Sequence, residues 1–352
     1  MSPSTLQGSS EPLDRVYDVA LLDLDGVVYI GPDAVPGVPD ALRQVRDAGM
    51  RLAFVTNNAA RPPEAVVEHL DRLGVTAEVG EVVTSAQAAA HYLSDRLPAG
   101  ARVLVIGTTG LEAALRERGL TPVGSADDDP AAVAQGFSPQ MDWKLLCEGA
   151  IAIRAGLPWV ATNLDATVPS PRGPVPGNGS LVATLRHATG REPEIATGKP
   201  DPTMHRESVQ RSGAQRPLVV GDRLDTDIEG ATAAGCPSLL VLSGVTDAAG
   251  LLAAPANRRP DYLGRDVSAL LFAHPAPVAH DGGLRCGPWQ VSRDGSACVL
   301  TRTADGDGTA DGLDALRALA PVAWAIVDDG HAVSIRGGDD EGRAECARWD
   351  LA

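Results

Sequence analysis

Short apolar runs separated by helix-like segments constrain the fold of this chain more than any other feature. The runs lie at residues 16–22, 52–55, 103–106, 218–220 and 238–242. Amphipathic segments with helical spacing lie between or beside them, at residues 38–48, 63–73, 111–118 and 202–212. Strands that are apolar throughout are buried on both faces, as in a parallel sheet covered by helices. The pattern therefore predicts an α/β protein with right-handed crossovers.

The chain changes character near both ends. Residues 1–15 are polar, and we expect them to form a mobile leader. A His-Pro-Ala-Pro segment lies within residues 269–280, which we expect to be a linker. The tail that follows has no lysine, seven arginines and three of the five tryptophans. We expect residues 281–352 to form a separate small α+β domain.

Short segments of the tail predict its elements. Apolar or alternating runs predict strands at residues 290–292, 297–301, 322–327 and 331–335. The spacing over residues 311–319 predicts a single helix among them.

Charge and composition exclude several classes of partner. Thirty Lys and Arg against 46 Asp and Glu give the 352-residue chain a net charge of −16, which repels nucleic-acid backbones and anionic membranes. Aromatic residues make up only 3%, too few for a base-stacking surface. An anionic substrate therefore needs a local cation to hold it.

The sequence also predicts a cytoplasmic protein. The N-terminus lacks the basic start and apolar stretch of a secretory signal, and no run approaches the ~20 apolar residues of a membrane span. The five cysteines are scattered and contain no C-x-x-C pair, a pattern that fits a reducing compartment.

Two carboxylates close the first predicted strand. Asp23 and Asp25 are two residues apart, so in an extended chain they point to the same face. The carboxyl ends of parallel strands are where proteins of this class bind ligands. This arrangement suits a nucleophile beside a general acid/base, whereas the alternative is a solvated turn.

Polar residues also follow the second predicted strand and precede a later helix. Thr56 and Asn57 offer hydrogen bonds to phosphate oxygens, although a turn and helix cap would use the same residues. Lys199, between a glycine and a proline, offers a point charge for phosphate, and the alternative is a surface lysine. The chain contains only two lysines, which favours a functional role.

A fourth element supplies further carboxylates. The apolar run at 218–220 leads to Asp222, and Asp227 follows five residues later. Hard oxygen ligands of this kind favour Mg²⁺, which is held by few carboxylates together with substrate phosphate. A metal ion would also offset the negative field of the protein.

These four elements, in this order, resemble the haloacid dehalogenase-like (HAD) phosphatases. Four sequence motifs are similar to those of their NagD-like branch, subfamily IIA: Asp-Leu-Asp-Gly-Val, Thr-Asn-Asn, Gly-Lys-Pro and Gly-Asp-x-x-x-Thr-Asp. The resemblance covers about residues 16–268. It implies a Rossmann-like parallel-sheet core, formed by residues 16–83 and 197–268, and an inserted α/β cap of type C2.

The resemblance also implies a role for each motif residue. Asp23 would attack phosphorus and become an aspartyl phosphate, while Asp25 would protonate the leaving oxygen and then activate water. Thr56 and Asn57 would bind the transferring phosphoryl group, and Lys199 would neutralise it. Mg²⁺ would be held by Asp23, the Asp25 main-chain carbonyl and Asp222, and Asp227 would either bind the ion or contact one of its ligands. These roles agree with phosphoryl transfer, which depends mainly on positioning and on charge neutralisation.

The insertion is expected to close over the site as a cap. It spans residues 84–196, far more than the few residues that usually join two elements. A cap of this kind excludes water and selects the substrate. Asn163 and Asp165, which follow a short apolar run, are candidate contacts for the leaving group, although an ordinary loop explains them as well.

We therefore expect a Mg²⁺-dependent phosphatase of a small phosphorylated metabolite, with glycerol 3-phosphate as the first candidate substrate. Phosphoglycolate, pyridoxal phosphate and a nucleoside monophosphate remain alternatives. A non-catalytic regulatory protein on the same scaffold is the rival from another class, and Asp25 argues against it. The tail resembles part of a GNAT acetyltransferase but lacks the Arg/Gln-x-x-Gly-x-Gly/Ala pyrophosphate loop. The sequence therefore favours a structural or dimer-forming domain over a second enzyme. A homodimer is left open.

Overall fold

The strands lie where the apolar runs of the first 268 residues predict them. The computed structural model describes residues 6–168, 172–303 and 308–351. In chain order its strands are β1 (Val19–Leu22), β2 (Tyr29–Ile30), β3 (Asp33–Ala34), β4 (Arg51–Thr56), β5 (Val82–Thr84), β6 (Arg102–Ile106), β7 (Thr121–Val123), β8 (Ala132–Gln135), β9 (Trp159–Ala161), β10 (Thr167–Val168), β11 (Val175–Pro176), β12 (Ile195–Ala196), β13 (Pro217–Gly221), β14 (Ser238–Val241), β15 (Tyr262–Gly264), β16 (Val278–His280), β17 (Gly283–Cys286), β18 (Trp289–Asp294), β19 (Ala297–Arg302) and β20 (Ser334–Gly337).

The helices alternate with these strands, as the amphipathic segments predict. They are α1 (Leu13–Val16), α2 (Val38–Asp47), α3 (Pro63–Arg72), α4 (Ser85–Ser94), α5 (Thr109–Glu117), α6 (Trp143–Arg154), α7 (Asn178–Thr189), α8 (Thr203–Ser212), α9 (Glu229–Ala234), α10 (Ala248–Leu252), α11 (Asp314–Asp328) and α12 (Asp340–Arg348). Among the described residues, none of these helices is long and apolar enough to cross a membrane. The alternation confirms the predicted α/β class.

The chain forms two compact units. The first contains the described residues of Met1–Ile30, Ala34–Leu52 and Ala214–Ala352, and the second those of Gly31–Asp33 and Ala53–Gly213. Each unit has parallel strands of its own.

A parallel sheet in the first unit aligns the ends of two strands that precede carboxylates. Its strands follow the order β15-β14-β13-β1. Leu22 at the end of β1 is in register with Val220 of β13. All four residues of β1 are buried, since both faces of the strand are covered. The residues that directly follow β1 and β13 therefore emerge at the same edge of the sheet.

The C-terminal segment of the first unit has a second sheet, in the order β16-β17-β18-β19-β20. The first four strands are antiparallel, and β19 and β20 are parallel. Helix α11 packs against this sheet and against α10. Its Leu316 and Trp324 share one apolar cluster with Leu240, Leu251 and Leu263 of the preceding α/β part. The tail thus has a sheet of its own, while its helix completes a core that begins before residue 269.

One predicted strand of the tail is wrong. Residues 322–327 lie in α11, and the helix predicted over 311–319 overlaps the first half of α11. The prediction of a single helix is also wrong, because α12 is a second helix of the tail. From Ala318 to Val327 every residue is apolar, so periodicity does not distinguish a buried helix from a buried strand. Pro321 lies inside the helix, where its missing N–H costs one hydrogen bond but the surrounding burial preserves the helix.

The expected mobile leader also differs from the structure. From Leu6 onward the chain is packed: Leu6 and Leu13 are buried, and Ser9 forms a β-bridge with His274. The N–H of Gln7 donates to the carbonyl of Asp261 at 2.8 Å. These leucines bury apolar surface that a free leader would expose to water. Residues 1–5 lie outside the described residues.

The second unit contains a five-stranded parallel sheet within the segment predicted as the cap. Its order is β12-β9-β8-β6-β7. Helices α4 and α5 pack on one face, and α6 and α7 pack on the other. The same unit contains the parallel pair of β4 and β5, in which Thr56 is in register with Thr84.

Candidate active site

Three carboxylates meet at the edge of the sheet in the first unit. Asp23 follows β1 and Asp222 follows β13, and one oxygen each from Asp23, Asp222 and Asp227 lies within 4.8 Å of the others. The N–H of Asp23 donates to the carbonyl of Val220 at 2.9 Å, which extends the strand pairing to this point. Asp222 and Asp227 are buried, Asp23 is half-buried and Asp25 is exposed. The structure thus brings together three of the four predicted metal-site residues by their side chains.

A distorted turn after β13 returns Asp227 to the cluster. Residues Leu224–Ile228 form a π-helical turn, which is wider than an α-helical one. The N–H of Arg223 donates to Oδ2 of Asp227 at 3.1 Å. This bond fixes the carboxylate beside the strand end from which the turn began.

Glycines and backbone donors let the chain approach the carboxylate of Asp222 closely. The N–H of Val245 donates to its Oδ2 at 2.7 Å. A Cβ placed on Gly244 or on Gly26 would collide with this carboxylate, and Gly26 has a φ of +86°. The hydroxyl of Ser243 donates to the carbonyl of Gly26 at 2.7 Å, which ties the two approaching segments together. Only glycine fits at both positions.

This donor set suits a divalent cation. Ionised carboxylates accept hydrogen bonds but donate none, and like charges this close repel each other unless a cation lies among them. Oxygen ligands in small number are typical of Mg²⁺, which keeps several waters. Asp23, Asp222 and Asp227 could therefore hold Mg²⁺.

A network of amides surrounds Asn57 in the second unit. Its Oδ1 accepts the N–H of Lys199 at 2.8 Å, and its Nδ2 donates to the carbonyl of Lys199 at 3.1 Å. The same Nδ2 lies 3.2 Å from both carboxylate oxygens of Asp165. One side chain thus joins segments that lie more than 100 residues apart in the sequence.

The carbonyl of Asn57 is held as firmly as its side chain. It accepts Nδ2 of Asn163 at 2.7 Å and the hydroxyl of Ser85 at 2.6 Å. The carbonyl of Asn163 in turn accepts Nδ2 of Asn178 at 2.8 Å. Asn163, Ser85 and Asn178 are all buried, so each of these bonds is protected from water.

Lys199 and Thr56 lie beside this network. Lys199 is only 4% exposed, and its Nζ donates to the carbonyl of Val55 at 3.1 Å. The buried hydroxyl of Thr56 accepts the N–H of Asn58 at 3.1 Å. A lysine this buried is not the surface lysine of the alternative interpretation, because such residues are almost never fully buried unless they are paired.

Several residues of these clusters were not predicted. Ser243 and Val245 lie just after β14, where the rule of strand ends applied to the 238–242 run would have indicated them. Ser85 acts on a backbone atom of Asn57, 28 positions away in the sequence, and a single sequence carries no signal for such a pair.

Comparisons with known proteins agree with this geometry. Residues 20–121 match the model of haloacid dehalogenase-like hydrolases, and residues 196–270 match a second HAD-like hydrolase model. Residues 286–351 match a GCN5-related N-acetyltransferase-like domain. The chain is 46% identical over 347 residues to D-glycerol 3-phosphate phosphatase of Mycobacterium tuberculosis. The alignment covers 95% of this chain and 94% of that protein.

The chain belongs to the haloacid dehalogenase-like hydrolase family. Within it, the chain is a phosphoric monoester hydrolase with NagD-like structural neighbours, as predicted. A crystal structure of glycerol phosphate phosphatase from M. tuberculosis with magnesium matches with a TM-score of 0.89 and 44% identity, covering 97% of this chain and 99% of that one. A 4-nitrophenylphosphatase from Thermotoga maritima matches with a TM-score of 0.68 and 31% identity, covering 74% and 97%.

Proposed function

We propose that this chain is a Mg²⁺-dependent phosphatase that hydrolyses glycerol 3-phosphate through an aspartyl-phosphate intermediate. The observation that carries the proposal is the convergence of Asp23, Asp222 and Asp227 at one sheet edge. The substrate rests on the 46% identical relative, which is a D-glycerol 3-phosphate phosphatase. Phosphoglycolate, pyridoxal phosphate and nucleoside monophosphates are the competing substrates.

Asp23 and Asp25 would carry out the chemistry. A carboxylate oxygen of Asp23 attacks phosphorus, the bond from phosphorus to the ester oxygen breaks, and Asp25 gives its proton to the departing alkoxide. Asp25 then takes a proton from a water molecule, which attacks phosphorus, releases inorganic phosphate and regenerates Asp23. The exposure of Asp25 leaves it accessible to that water.

The carboxylates would hold Mg²⁺ together with the main-chain carbonyl of Asp25. When bound, Mg²⁺ supplies positive charge that offsets the negative charge of a phosphoryl group. Asp222 is fixed by the N–H of Val245, so the chain orients this ligand before a metal ion arrives.

The residues around Asn57 are proposed either to recognise phosphate or to support the residues that do. We assign Thr56 and Lys199 to the phosphoryl group, on the resemblance of their motifs. The amide of Asn57 is engaged with Lys199 and Asp165, which supports a positioning role for this side chain rather than direct phosphate binding. Asn163 donates to the main-chain carbonyl of Asn57, and Asp165 accepts its side-chain amide, so we assign both first to the support of that segment.

The C-terminal segment is proposed to be structural or dimer-forming rather than a second enzyme. A helix N-terminus attracts anions, but Asp314 in the first turn of α11 already places a carboxylate there. That carboxylate accepts the N–H of Thr309 at 2.7 Å and pairs with the buried Arg317. This arrangement leaves the helix end with an internal anion and argues against an acetyltransferase, which would need to bind the pyrophosphate of its cofactor.

We further propose a cytoplasmic protein that does not bind nucleic acid. The support is compositional: the chain carries a net charge of −16, and its five cysteines are all free thiols. Size-exclusion chromatography with light scattering would decide between a monomer and the homodimer that the sequence leaves open.

The test is phosphate release from a panel of small phosphomonoesters, with Mg²⁺ and with EDTA. Asp23→Asn should lower kcat by at least about 1,000-fold with an unchanged melting temperature, because it removes the nucleophile but conserves the shape. Asp47→Asn, on the exposed end of α2, is the matched control and should retain full activity.

Steady-state turnover by Asp23→Asn at the wild-type rate would eliminate the proposed nucleophile. Absence of release from every ester, by a wild-type sample that melts cooperatively, would favour the regulatory protein instead. Release that is fastest with another ester would retain the phosphatase and replace the substrate.

A further inference from the structure

The loop after β14 holds Asp222 through two backbone donors, one to its carboxylate and one to its main-chain carbonyl. Besides the bond from the N–H of Val245, the N–H of Thr246 donates to the main-chain carbonyl of Asp222 at 3.1 Å. Ser243 binds the carbonyl of Gly26 in the segment that follows Asp25. The position of residues 243–246 therefore determines where Asp222 and the Gly26 segment lie.

This loop continues directly into α10, which is only five residues long. A helix this short is not stable on its own, because its few hydrogen bonds do not repay nucleation. Its N-terminus is capped by Asp247, which accepts the N–H of Gly250 at 2.7 Å. The rest of its support must come from what packs against it.

That support comes from the C-terminal segment. The indole Nε1 of Trp324 donates to the carbonyl of Leu251 in α10 at 2.8 Å, and Trp324 is 1% exposed. Leu251 and Trp324 also belong to the same apolar cluster. The hydrogen bond connects α11 to the helix that begins where the Asp222 loop ends.

A buried arginine makes a second connection between the same elements. Arg259 donates to the carbonyl of Ala254, just beyond α10, and to the carbonyl of Trp324, both at 3.1 Å. Its guanidinium also forms two bonds to Asp328, at 2.7 and 2.9 Å. Because a guanidinium presents its donors in a rigid fork, these bonds fix the end of α10 relative to α11.

We propose that Trp324 is a positioning residue of the metal site, and that the C-terminal segment holds the Asp222 loop in its metal-binding geometry through α10. The inference rests on the proposed metal site at Asp23, Asp222 and Asp227. It gives the acetyltransferase-like segment a role in the phosphatase reaction that requires no ligand of its own.

The test measures metal affinity without substrate, using Mn²⁺ as the probe and the signal of free Mn²⁺ in electron paramagnetic resonance. Trp324→Phe keeps an aromatic side chain but replaces the indole with a smaller phenyl ring and removes the N–H donor. It should weaken Mn²⁺ binding about three- to tenfold, somewhat less than the loss of a group that bonds a ligand directly. The Mg²⁺ concentration for half-maximal activity should rise by the same factor, with a smaller change in kcat at saturating Mg²⁺.

Trp289→Phe is the matched control. Trp289 lies in β18 of the same segment, where it is half-buried and contacts Arg302. The substitution is the same, and it leaves the hydrogen bond from Trp324 to Leu251 in place. Melting temperatures of both variants in EDTA separate a general loss of stability from a loss of metal affinity. Unchanged Mn²⁺ affinity in a folded Trp324→Phe would overturn the inference, as would an equal loss in Trp289→Phe.

Two further variants resolve the remaining outcomes. Asp328→Asn removes the charge partner of Arg259 from a half-exposed position. If Trp324→Phe does not fold, at least a twofold loss of Mn²⁺ affinity in Asp328→Asn supports the inference, and unchanged affinity overturns it. Asp222→Asn tests the metal site itself. If this variant binds Mn²⁺ with normal affinity, the proposed metal site is wrong. If Asp222→Asn loses Mn²⁺ affinity and Trp324→Phe does not, only the positioning role is refuted.

Discussion

The carboxylate cluster of the first unit and the amide network of the second use polar groups in opposite ways. Asp23, Asp222 and Asp227 bring acceptors of like charge together, and like charges this close repel each other. Asn57 and its partners combine donors and acceptors that bind each other. The first cluster supplies the oxygen ligands that we propose for an ion, whereas the second pairs amide donors with oxygen acceptors. A polar cluster is therefore interpreted from the balance of its donors and acceptors, not from its burial.

The largest expected effect comes from filling the space beside the carboxylates. Gly244→Ala places a methyl group against the carboxylate of Asp222, so Mg²⁺ affinity should fall about 10- to 100-fold. Isothermal titration with Mg²⁺ measures the affinity, and the rise in melting temperature on adding Mg²⁺ should shrink with it.

Gly124→Ala is the control for this change. Nothing lies within 4 Å of a Cβ at Gly124, so the variant should bind Mg²⁺ as the wild type does. Normal Mg²⁺ affinity in Gly244→Ala would show that the Asp222 carboxylate is not part of the ion site.

The amide network should respond through stability instead of metal affinity. Asn57→Ala leaves the N–H and carbonyl of Lys199 without this partner, and the free energy of unfolding should fall by about 2–3 kcal/mol. Urea unfolding of the metal-free protein measures it, and Mn²⁺ affinity should stay within twofold of the wild type.

Asn58→Ala provides the comparison within the same loop. The exposed side chain of Asn58 accepts one bond, from the N–H of Ala60, so this variant should lose only about 0.5 kcal/mol. Equal losses for Asn57 and Asn58 would remove the distinction between the network and an ordinary turn.

A third cluster, in the C-terminal segment, extends the comparison through its pH dependence. Burial alone would raise the pKa of Asp311, but hydrogen bonds from Arg317 and Thr309 lower it from 3.8 to about 2. A carboxyl group whose pKa is lowered by folding stabilises the folded state at a pH above its unfolded pKa. This stabilisation is lost as the pH falls through the folded pKa. Asp311 should thus contribute about 2 kcal/mol at pH 7, and this contribution should disappear between about pH 5 and pH 2.

The measurement is the difference in unfolding free energy between wild type and Asp311→Asn at several pH values. This difference should narrow as the pH approaches 3. Asp40→Asn, in an exposed ion pair with Arg43, serves as the control and should show a small difference. A difference for Asp311 that stays constant from pH 7 to pH 3 would contradict the lowered pKa.

The sequence predicts the parallel sheets and the carboxylate cluster well, because both follow from strand ends. An apolar run marks a buried strand, and Asp23 and Asp222 are the polar residues that directly follow two such runs. The helical spacing of residues 38–48 and 63–73 likewise places α2 and α3 within a residue or two.

The sequence does not predict the features of the structure that depend only on tertiary contacts. Residues 322–327 form a helix instead of a strand because α11 is surrounded by core on nearly every side. The links from Asn57 to Lys199 and from Trp324 to Leu251 join residues more than 70 positions apart. No local pattern indicates such pairs, and the roles of Ser243 and Val245 lie partly in backbone atoms that any residue type provides.

Leu251 and Leu263 share one apolar cluster with Leu316 and Trp324, so we expect the tail to unfold together with the part of the first unit that precedes residue 269. A lesion in the tail would then raise the unfolded fraction of the first unit, and proteases would remove both of its parts together. The abundance of the phosphatase, and not only its turnover, is therefore set in part by residues that never meet a phosphate ester.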